Sequence, residues 1–414
     1  MPDAAPTVLV LDAGGARSAY QVGALEVLLP ALAEHDAMPT VLLGTSAGAL
    51  LSAGLAAHAH EEPDVQARAL RGLLDRATKP HVIRPLWRQV PEVALRYASE
   101  TIGLSRFRLR GLFGTEPLWQ TLAGRIDWDG LHRNLDAGSV DLLAVTATAV
   151  GTGEVVLFGE GSRDLPEGRP RRYVRTRLGV EHLMASAAIP ALFPSVLVDE
   201  PEEASGWYVD GATRRRRPLA PALELGAGRI VAVGTGSMSP RRARPERDRR
   251  TVDLGDGAAT LLGAVMDDPM RHDLRRLAEL NAQTTDPDLG PALDAHRARQ
   301  GEAPYREIPY AAVAPTHGEE IAALAMEVFD TNHKRLLRTA ADPDLHVIHR
   351  LLGGDSPLQG ELLSYLLFDR DFFDGAADLG RRDARRWLDA CPDLWWTGAL
   401  DDEGMPTGEP AGVR

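Results

Sequence analysis

The pentapeptide Gly-Thr-Ser-Ala-Gly at residues 44–48 constrains the fold of this chain more than any other feature. It follows the apolar run 41–43 and precedes the helix-compatible stretch 49–57, so the pattern predicts a strand, a sharp turn and a helix with Ser46 at the apex. Small residues at both ends of the turn let the strand and the helix approach without Cβ clashes. Ser46 is therefore a candidate nucleophile, and the alternative is a glycine-rich turn without chemistry.

A second strand, loop and helix unit lies upstream. Residues 8–11 form an apolar run, and the glycine-rich segment 12–18 separates this run from a helical pattern. Glycines in such a loop let consecutive amide groups point into one concavity, which suits a phosphate or an oxyanion. The spacing G-x-G-x-x-G of a dinucleotide loop is absent, because Gly14 and Gly15 are adjacent and the next glycine is Gly23.

An aspartate ends a further predicted strand. Residues 207–209 resemble the end of a strand that leads Asp210 and Gly211 into a turn, ahead of a helix-like segment at 218–226 and an apolar strand at 229–234. An aspartate beside glycine is often only a turn former or a helix cap. The functional alternative is a general base.

Together these segments resemble the patatin-like phospholipase family. Residues 12–23 (DAGGARSAYQVG) are similar to that family's oxyanion loop, 44–48 to its nucleophile elbow, and the Asp-Gly pair at 210–211 to its catalytic D-G-[GA] motif. Residues 185–194 (ASAAIPALFP) are similar to the stretch that precedes the aspartate in bacterial members. The strong resemblance covers roughly residues 7–235.

The resemblance implies an enzyme that cleaves lipid acyl esters through a Ser/Asp dyad and a covalent acyl-enzyme. Ser46 would be the nucleophile and Asp210 the group that accepts its proton. The amides of Gly14, Gly15 and Ala16 would form the oxyanion hole. A free aspartate is a weak base for an alkanol, so this dyad needs a dry pocket that raises its basicity.

Other positions in and near these motifs have two interpretations or differ from the family pattern. Arg17 could hold its loop through backbone carbonyls or bind an anionic substrate, and it is our candidate substrate-binding residue. Ala13 stands where a third loop glycine is common, and Ser18 stands where glycine usually follows the arginine, so the loop must avoid positive φ at both positions. Arg216 replaces the family's asparagine shortly before a proline, here Pro218.

Two alternative functions remain open. A noncatalytic lipid-binding or scaffold protein can have the same fold, because fold alone does not confer activity. A Ser/His/Asp triad would need a histidine after the acid in the chain. The candidates for that third member are His272, His317, His333, His346 and His349.

Composition excludes several classes of protein. The single cysteine, Cys391, excludes an internal disulfide and leaves no zinc cluster, and its apolar surroundings predict buried packing. No metal or organic cofactor is implied. A net charge of −13 disfavours binding of nucleic acid. We see no secretory signal and no apolar stretch of membrane-spanning length, so we expect a cytoplasmic protein. Its oligomeric state has no signal in the sequence.

Positive charge is nevertheless clustered in arginine-rich tracts. These tracts lie at 171–177, 214–217 and 241–250. Genomic composition explains such a bias as readily as function does. The functional interpretation is peripheral membrane contact through a cationic rim that favours anionic lipids.

The elements together predict an α/β fold with a mainly parallel central sheet flanked by helices. A patatin-like catalytic domain spans 1–236 and includes a helical insertion at 61–128 that could act as a lid. A mostly helical C-terminal region spans 254–414 and packs on the same sheet or stands as a separate domain. Further predicted segments are a flexible linker at 237–253, an irregular connection at 286–309 and a strand at 345–351.

Overall fold

One mixed sheet organises the protein. The computed structural model describes residues 5–84, 111, 113–167, 171–214, 217–239, 270–332 and 359–408. In these ranges nine strands pair into a single sheet. The strands are β1 (Thr7–Leu11), β2 (Val41–Thr45), β3 (Leu142–Ala149), β4 (Val155–Gly161), β5 (Arg172–Arg175), β6 (Val196–Val198), β7 (Gly206–Asp210), β8 (Arg229–Val233) and β9 (Tyr310–Val313).

The sheet is mainly parallel, as the sequence predicts. Its order is β5-β4-β3-β2-β1-β8-β9, and β6 and β7 form an antiparallel ribbon attached to β3. The five strands from β3 to β9 in this order run parallel, whereas β4 runs antiparallel to β3. Every residue of β1 and β2 is buried, which is typical of parallel strands covered by helices on both faces. The α/β fold class is therefore confirmed.

Helices cover the sheet and extend beyond it. None in the described ranges is long and apolar enough to cross a bilayer. The helices are α1 (Ser18–Glu34), α2 (Ala47–Ala57), α3 (Pro63–Arg76), α4 (Lys79–Val82), α5 (Glu116–Arg125), α6 (Trp128–Asp136), α7 (Val180–Ser186), α8 (Ala220–Glu224), α9 (Met270–Thr285), α10 (Leu289–Arg299), α11 (Gly318–Asn332), α12 (Gln359–Leu366) and α13 (Arg370–Ala390).

The helix α13 packs directly against α1, near the start of the chain. At the crossing, a Cβ atom on Gly23 would lie 2.0 Å from the carbonyl oxygen of Ala377, and one on Gly380 would lie 2.0 Å from that of Tyr20. The two backbones therefore touch, which only glycine permits. A hydrogen bond of 2.9 Å from the Tyr20 hydroxyl to Asp383 fixes the register of the pair.

The C-terminal region also completes the sheet, because β9 pairs in parallel with β8. The prediction of an irregular connection at 286–309 is wrong, since α10 occupies part of it. The Asp286 carboxylate accepts a hydrogen bond of 2.8 Å from the Leu289 amide and so caps the start of this helix. Pro291 lies in its first turn, where a missing amide proton costs nothing.

Some predicted segments lie outside the described residues. These are most of the linker at 237–253, the strand at 345–351 and the middle of the helical insertion at 85–110. The described flanks of the insertion are helical, because α3, α4 and α5 fall within it.

The close crossing of α1 and α13 gives a stability prediction. Gly380→Ala adds a methyl group where a backbone oxygen lies, so we expect the free energy of unfolding to fall by about 3 kcal/mol or more. Gly72→Ala is the matched control, because a Cβ atom there meets nothing within 4 Å inside helix α3. We expect that variant to gain about 0.5–1 kcal/mol. Urea unfolding measures both, and an unchanged Gly380→Ala protein would contradict the contact.

Candidate active site

Ser46 lies at the apex of the predicted turn between β2 and α2. Its backbone has φ 55° and ψ −126°, a conformation that is strained for any residue other than glycine. A Cβ atom on Gly44 would lie 2.4 Å from Ala49 Cα, and one on Gly48 would lie 2.3 Å from the Leu11 carbonyl oxygen. The glycines therefore allow the close approach of strand and helix that the sequence predicts.

Asp210 reaches Ser46 through the pairing of two strands with one edge of β3. β2 runs parallel to β3 and ends where Thr45 pairs with Thr146. β7 runs antiparallel to β3 and ends where Asp210 pairs with Ala147. Because β4 occupies the other edge of β3, β7 continues the line of β2 from the opposite direction. The carboxyl ends of β2 and β7 thus meet head to head, and Ser46 and Asp210 leave the sheet at the same level.

The Asp210 carboxyl group is almost completely buried, with 1% of the residue exposed. Burial raises its pKa to about 6, although the Ser46 side chain and the Ala212 amide lower it. Oδ1 accepts a hydrogen bond of 2.8 Å from the Ala212 amide. Oδ2 accepts none of normal geometry from the described residues. The interaction with Ser46 is therefore long or poorly aligned, as catalytic hydrogen bonds often are before substrate binds.

The glycine-rich loop after β1 is enclosed on two sides. Gly15 has φ 51°, and a Cβ atom on it would lie 2.4 Å from the Tyr365 carbonyl oxygen, so a side chain is excluded. A Cβ atom on Gly14 would lie 2.6 Å from Thr235 Cγ2. The Thr235 hydroxyl donates a hydrogen bond of 2.6 Å to the Ala13 carbonyl. Ala13 does not have positive φ, so the absence of a third glycine causes no strain there.

The loop begins directly beside the Ser46 turn. In the β1–β2 ladder Leu11 pairs with Gly44, so the carboxyl ends of the two strands are neighbours. The Gln21 side-chain amide donates hydrogen bonds of 2.9 Å to the carbonyls of Asp12 and Val233, at the ends of β1 and β8. This amide holds the loop against the sheet.

The Arg17 side chain contacts the C-terminal region. It is 2% exposed, and its guanidinium donates to the Ser364 hydroxyl at 2.5 Å and to the Glu361 carbonyl at 2.9 Å. It also pairs with the Glu361 carboxylate at 2.9 Å and lies 4.1 Å from the centre of the Tyr365 ring. A guanidinium occupied in this way is not presented to a substrate, so the geometry favours the structural interpretation over the substrate contact that we considered for Arg17.

Ser186 is a site residue that the sequence analysis did not single out. The Ser46 amide donates a hydrogen bond of 2.8 Å to the Ser186 hydroxyl, which in turn donates one of 2.7 Å to the Thr146 carbonyl. Two residues later, the Ala188 carbonyl accepts a hydrogen bond of 2.9 Å from the Asp210 amide. The only signal in the sequence was the family-like stretch 185–194, to which no role was attached.

Histidine is absent from the immediate contacts of this site in the described residues, where neither Ser46 nor Asp210 hydrogen-bonds to one. His272 and His317 are both exposed. The buried His182 lies against Phe158, and burial lowers its pKa. The remaining candidates for a triad, His333, His346 and His349, lie outside the described residues.

Three arginines of the first tract have contacts within the protein. Arg171 pairs with Glu224 at 2.6 Å. Arg172 and Arg175 donate to backbone carbonyls. The tract at 241–250 lies outside the described residues. The described part of the first tract therefore stabilises the edge of the sheet around β5.

Cys391 is buried at the end of α13, as its apolar surroundings predict. Burial raises the pKa of its thiol to about 11, which keeps the thiol protonated and unreactive at neutral pH. Within the described ranges, no three His, Cys, Asp or Glu side chains converge as metal ligands.

The site matches a known family in sequence. The profile of the family described as patatin-like phospholipase matches residues 9–223, which is just over half of the 414 residues. This segment contains the glycine-rich loop, the Ser46 turn and Asp210. The chain therefore belongs to the patatin-like phospholipase family, as its motifs suggest. No curated protein matches the chain significantly.

Solved structures resemble the chain only distantly. VipD from Legionella pneumophila is 11% identical, with 97% of this chain and 90% of that chain covered and a TM-score of 0.29. The heterodimeric ExoU-SpcU complex from the type III secretion system of Pseudomonas aeruginosa gives 15% identity, 96% and 73% coverage and a TM-score of 0.27. Superpositions this poor carry no argument about the fold or the function.

The buried Asp210 carboxylate should destabilise the protein when it is charged. Its pKa is raised from 3.8 to about 6 by folding, so the cost is complete above pH 6, falls with pH and vanishes below 3.8. At one pKa unit per 1.36 kcal/mol, we expect Asp210→Asn to gain up to about 3 kcal/mol in alkaline solution and nothing in acid. Urea unfolding across this pH range measures the difference. The exposed Asp129→Asn is the control, and a gain independent of pH would contradict a raised pKa.

Proposed function

We propose that this protein is a serine acyl hydrolase that cleaves lipid acyl esters through Ser46, Asp210 and a covalent acyl-enzyme. The observation that carries the proposal is the head-to-head meeting of β2 and β7 on one edge of β3. It brings a strained serine and a buried carboxyl group together from positions far apart in the chain. Family membership supports hydrolysis of a lipid ester and leaves the kind of lipid open.

In the first half of the proposed reaction, Ser46 Oγ attacks the carbonyl carbon of the ester while Asp210 accepts the hydroxyl proton. The carbonyl oxygen becomes an oxyanion, which the amides of Gly14, Gly15 and Ala16 stabilise. The tetrahedral intermediate then expels the alcohol, which leaves with the proton from Asp210. In the second half, Asp210 takes a proton from water, the hydroxide attacks the acyl-enzyme, and Ser46 recovers its proton as the fatty acid leaves.

Electrostatics at the site suit this sequence of steps. With a pKa of about 6, Asp210 is mostly ionised at neutral pH and is a stronger base than a free aspartate. The α2 helix begins at Ala47, so its positive dipole end and its unpaired amides face the turn at Ser46. Negative charge that develops beside Ser46 is therefore stabilised.

The alternative is a noncatalytic lipid-binding or scaffold protein of the same fold. Two features favour the enzyme: the positive φ of Ser46 and the burial of Asp210 both lower stability. A protein that only binds lipid gains nothing from either feature. Backbone strain and a buried ionisable group at the same place are typical of catalytic sites.

For access to lipid, we propose that an apolar patch on the β6–β7 ribbon contacts the surface of a membrane. Leu197 pairs with Trp207 across the ribbon, and the Val150 amide donates a hydrogen bond of 2.8 Å to the Trp207 carbonyl. The three residues are 41–54% exposed, and this backbone pairing places them side by side along the ribbon. Exposed apolar patches mark interaction sites, and tryptophan favours the membrane–water interface. Because the neighbouring loop 199–203 is acidic, we expect this patch to favour zwitterionic lipid, in contrast to the anionic preference that the arginine tracts suggest.

The dyad predicts a specific pattern of activity. We expect Ser46→Ala and Asp210→Asn each to lower ester hydrolysis at least about 1,000-fold, and Ser46→Ala to lose labelling by a fluorophosphonate. Changing each of the five candidate histidines singly should have little effect. The kcat/KM of the wild type should fall about tenfold per pH unit below a midpoint near 6. Full activity in Asp210→Asn, or loss of activity in one histidine variant, would contradict the dyad.

The apolar patch predicts a difference between lipid and soluble substrates. Leu197→Ser should lower hydrolysis on zwitterionic vesicles about 5-fold, because burying the exposed part of a leucine side chain at the interface contributes about 1 kcal/mol. Hydrolysis of a water-soluble ester should not change. Leu289→Ser is the matched control, since Leu289 is 42% exposed on α10 and Leu197 is 41% exposed. Equal losses on both substrates, or in both variants, would argue against membrane contact.

A further inference from the structure

The segment 185–188, which comprises the end of α7 and the start of the loop before β6, contacts both members of the proposed dyad through their backbones. We propose that it acts as a brace for the site and that Ser186 is a positioning residue for Ser46. This inference rests on the proposed function. It assigns a role to part of the family-like stretch 185–194 that the mechanism above leaves unused.

The first contact secures the Ser46 backbone. At φ 55° the residue has left the regular path of β2, and its buried amide needs another acceptor. Ser186 Oγ supplies it at 2.8 Å and donates its own proton to the Thr146 carbonyl at 2.7 Å. Because the hydroxyl proton is committed to Thr146, a lone pair of Ser186 Oγ is left to face the Ser46 amide.

The second contact secures Asp210. Its amide donates to the Ala188 carbonyl at 2.9 Å, only two residues from Ser186. The next residue, Gly211, lies so close to the Thr146 carbonyl that a Cβ atom on it would be 2.4 Å away. The segment 185–188 and the Thr146 carbonyl of β3 therefore contact the backbones on both sides of the site. Together with the strand pairing of the sheet, they fix the distance between Ser46 and Asp210.

Burial alone does not account for the Ser186 hydroxyl. Ser52 is another serine with no exposed surface, and its Oγ has no hydrogen-bond partner among the described residues. The interior of this protein therefore tolerates a serine without a hydrogen bond. At Ser186 both hydrogen bonds have good lengths, and they lead to the Ser46 turn and to Thr146 of β3, beside which the site is built.

The brace also limits where an oxyanion can bind. Since the Ser46 amide already donates its hydrogen bond to Ser186 Oγ, it is not available to the oxygen of the reacting carbonyl. The remaining donors are the amides of the glycine-rich loop, Gly14 to Ala16, and the amide of Ala47 at the start of α2. Loss of Ser186 would free the Ser46 amide and let the strained turn relax, which moves Ser46 Oγ away from Asp210.

The test compares Ser186→Ala with Ser52→Ala, the same exchange at an equally buried position. We expect Ser186→Ala to lower kcat and the rate of fluorophosphonate labelling about 10- to 100-fold, since a misplacement near 1 Å has that effect. KM should stay unchanged, whereas the pH midpoint near 6 should rise, because Ser46 Oγ, which lowers the pKa of Asp210, moves away from that carboxyl group. Ser52→Ala should keep wild-type values throughout.

Hydrogen exchange of the Ser46 amide provides a readout that does not need activity. We expect this amide to exchange faster in Ser186→Ala than in the wild type or in Ser52→Ala. Ser186→Cys fills the space of the hydroxyl with a slightly larger group that is a weaker acceptor, so it should show the same changes and serves if the alanine variant fails to fold. Unchanged exchange and unchanged labelling in both Ser186 variants would overturn the inference. If the wild type itself neither reacts with the probe nor hydrolyses esters, the proposed function fails, and exchange alone still decides whether the brace exists.

Discussion

The structure of the site depends on one edge of one strand. β2 and β7 pair with consecutive parts of the same edge of β3 and run in opposite directions. Their carboxyl ends meet beside Thr146 and Ala147. Neither strand can shift by one residue without turning its last side chain to the other face of the sheet. Ladder register, which is specified by many buried backbone hydrogen bonds, therefore determines how a hydroxyl and a carboxyl group meet. The Ser186 hydroxyl then holds the Ser46 backbone within the frame that the ladders provide.

The environment of Asp210 follows from the same pairing. A residue at the end of an interior strand, beneath the helices that cover the sheet, loses its water, and this loss raises the pKa of its carboxyl group to about 6. Stability and chemistry are thus opposed at this position, because the ionised form that could accept a proton is the form that the fold tolerates least. The hydrogen bond from the Ala212 amide compensates for part of the lost solvation.

The sequence predicted the features that have a local pattern. The apolar runs ahead of the two glycine turns gave β1 and β2, and the Gly-Thr-Ser-Ala-Gly motif gave the turn at Ser46. What it did not predict depends on partners far away in the chain. Ser186 is 140 residues from Ser46, and Arg17 is 347 residues from Ser364. The short strands β5, β6 and β9 also have too few residues for their periodicity to stand out.

The contacts between α12 and the glycine-rich loop determine where this protein can be divided into fragments. The backbone of Tyr365 lies against Gly15, and Glu361 and Ser364 hold the guanidinium of Arg17. All three belong to α12, well beyond residue 223, where the match to the family ends. A fragment cut at that boundary would expose a buried cation and remove a wall of the loop. The glycine-rich loop and the helix α12 that supports it must therefore be expressed and engineered as one unit.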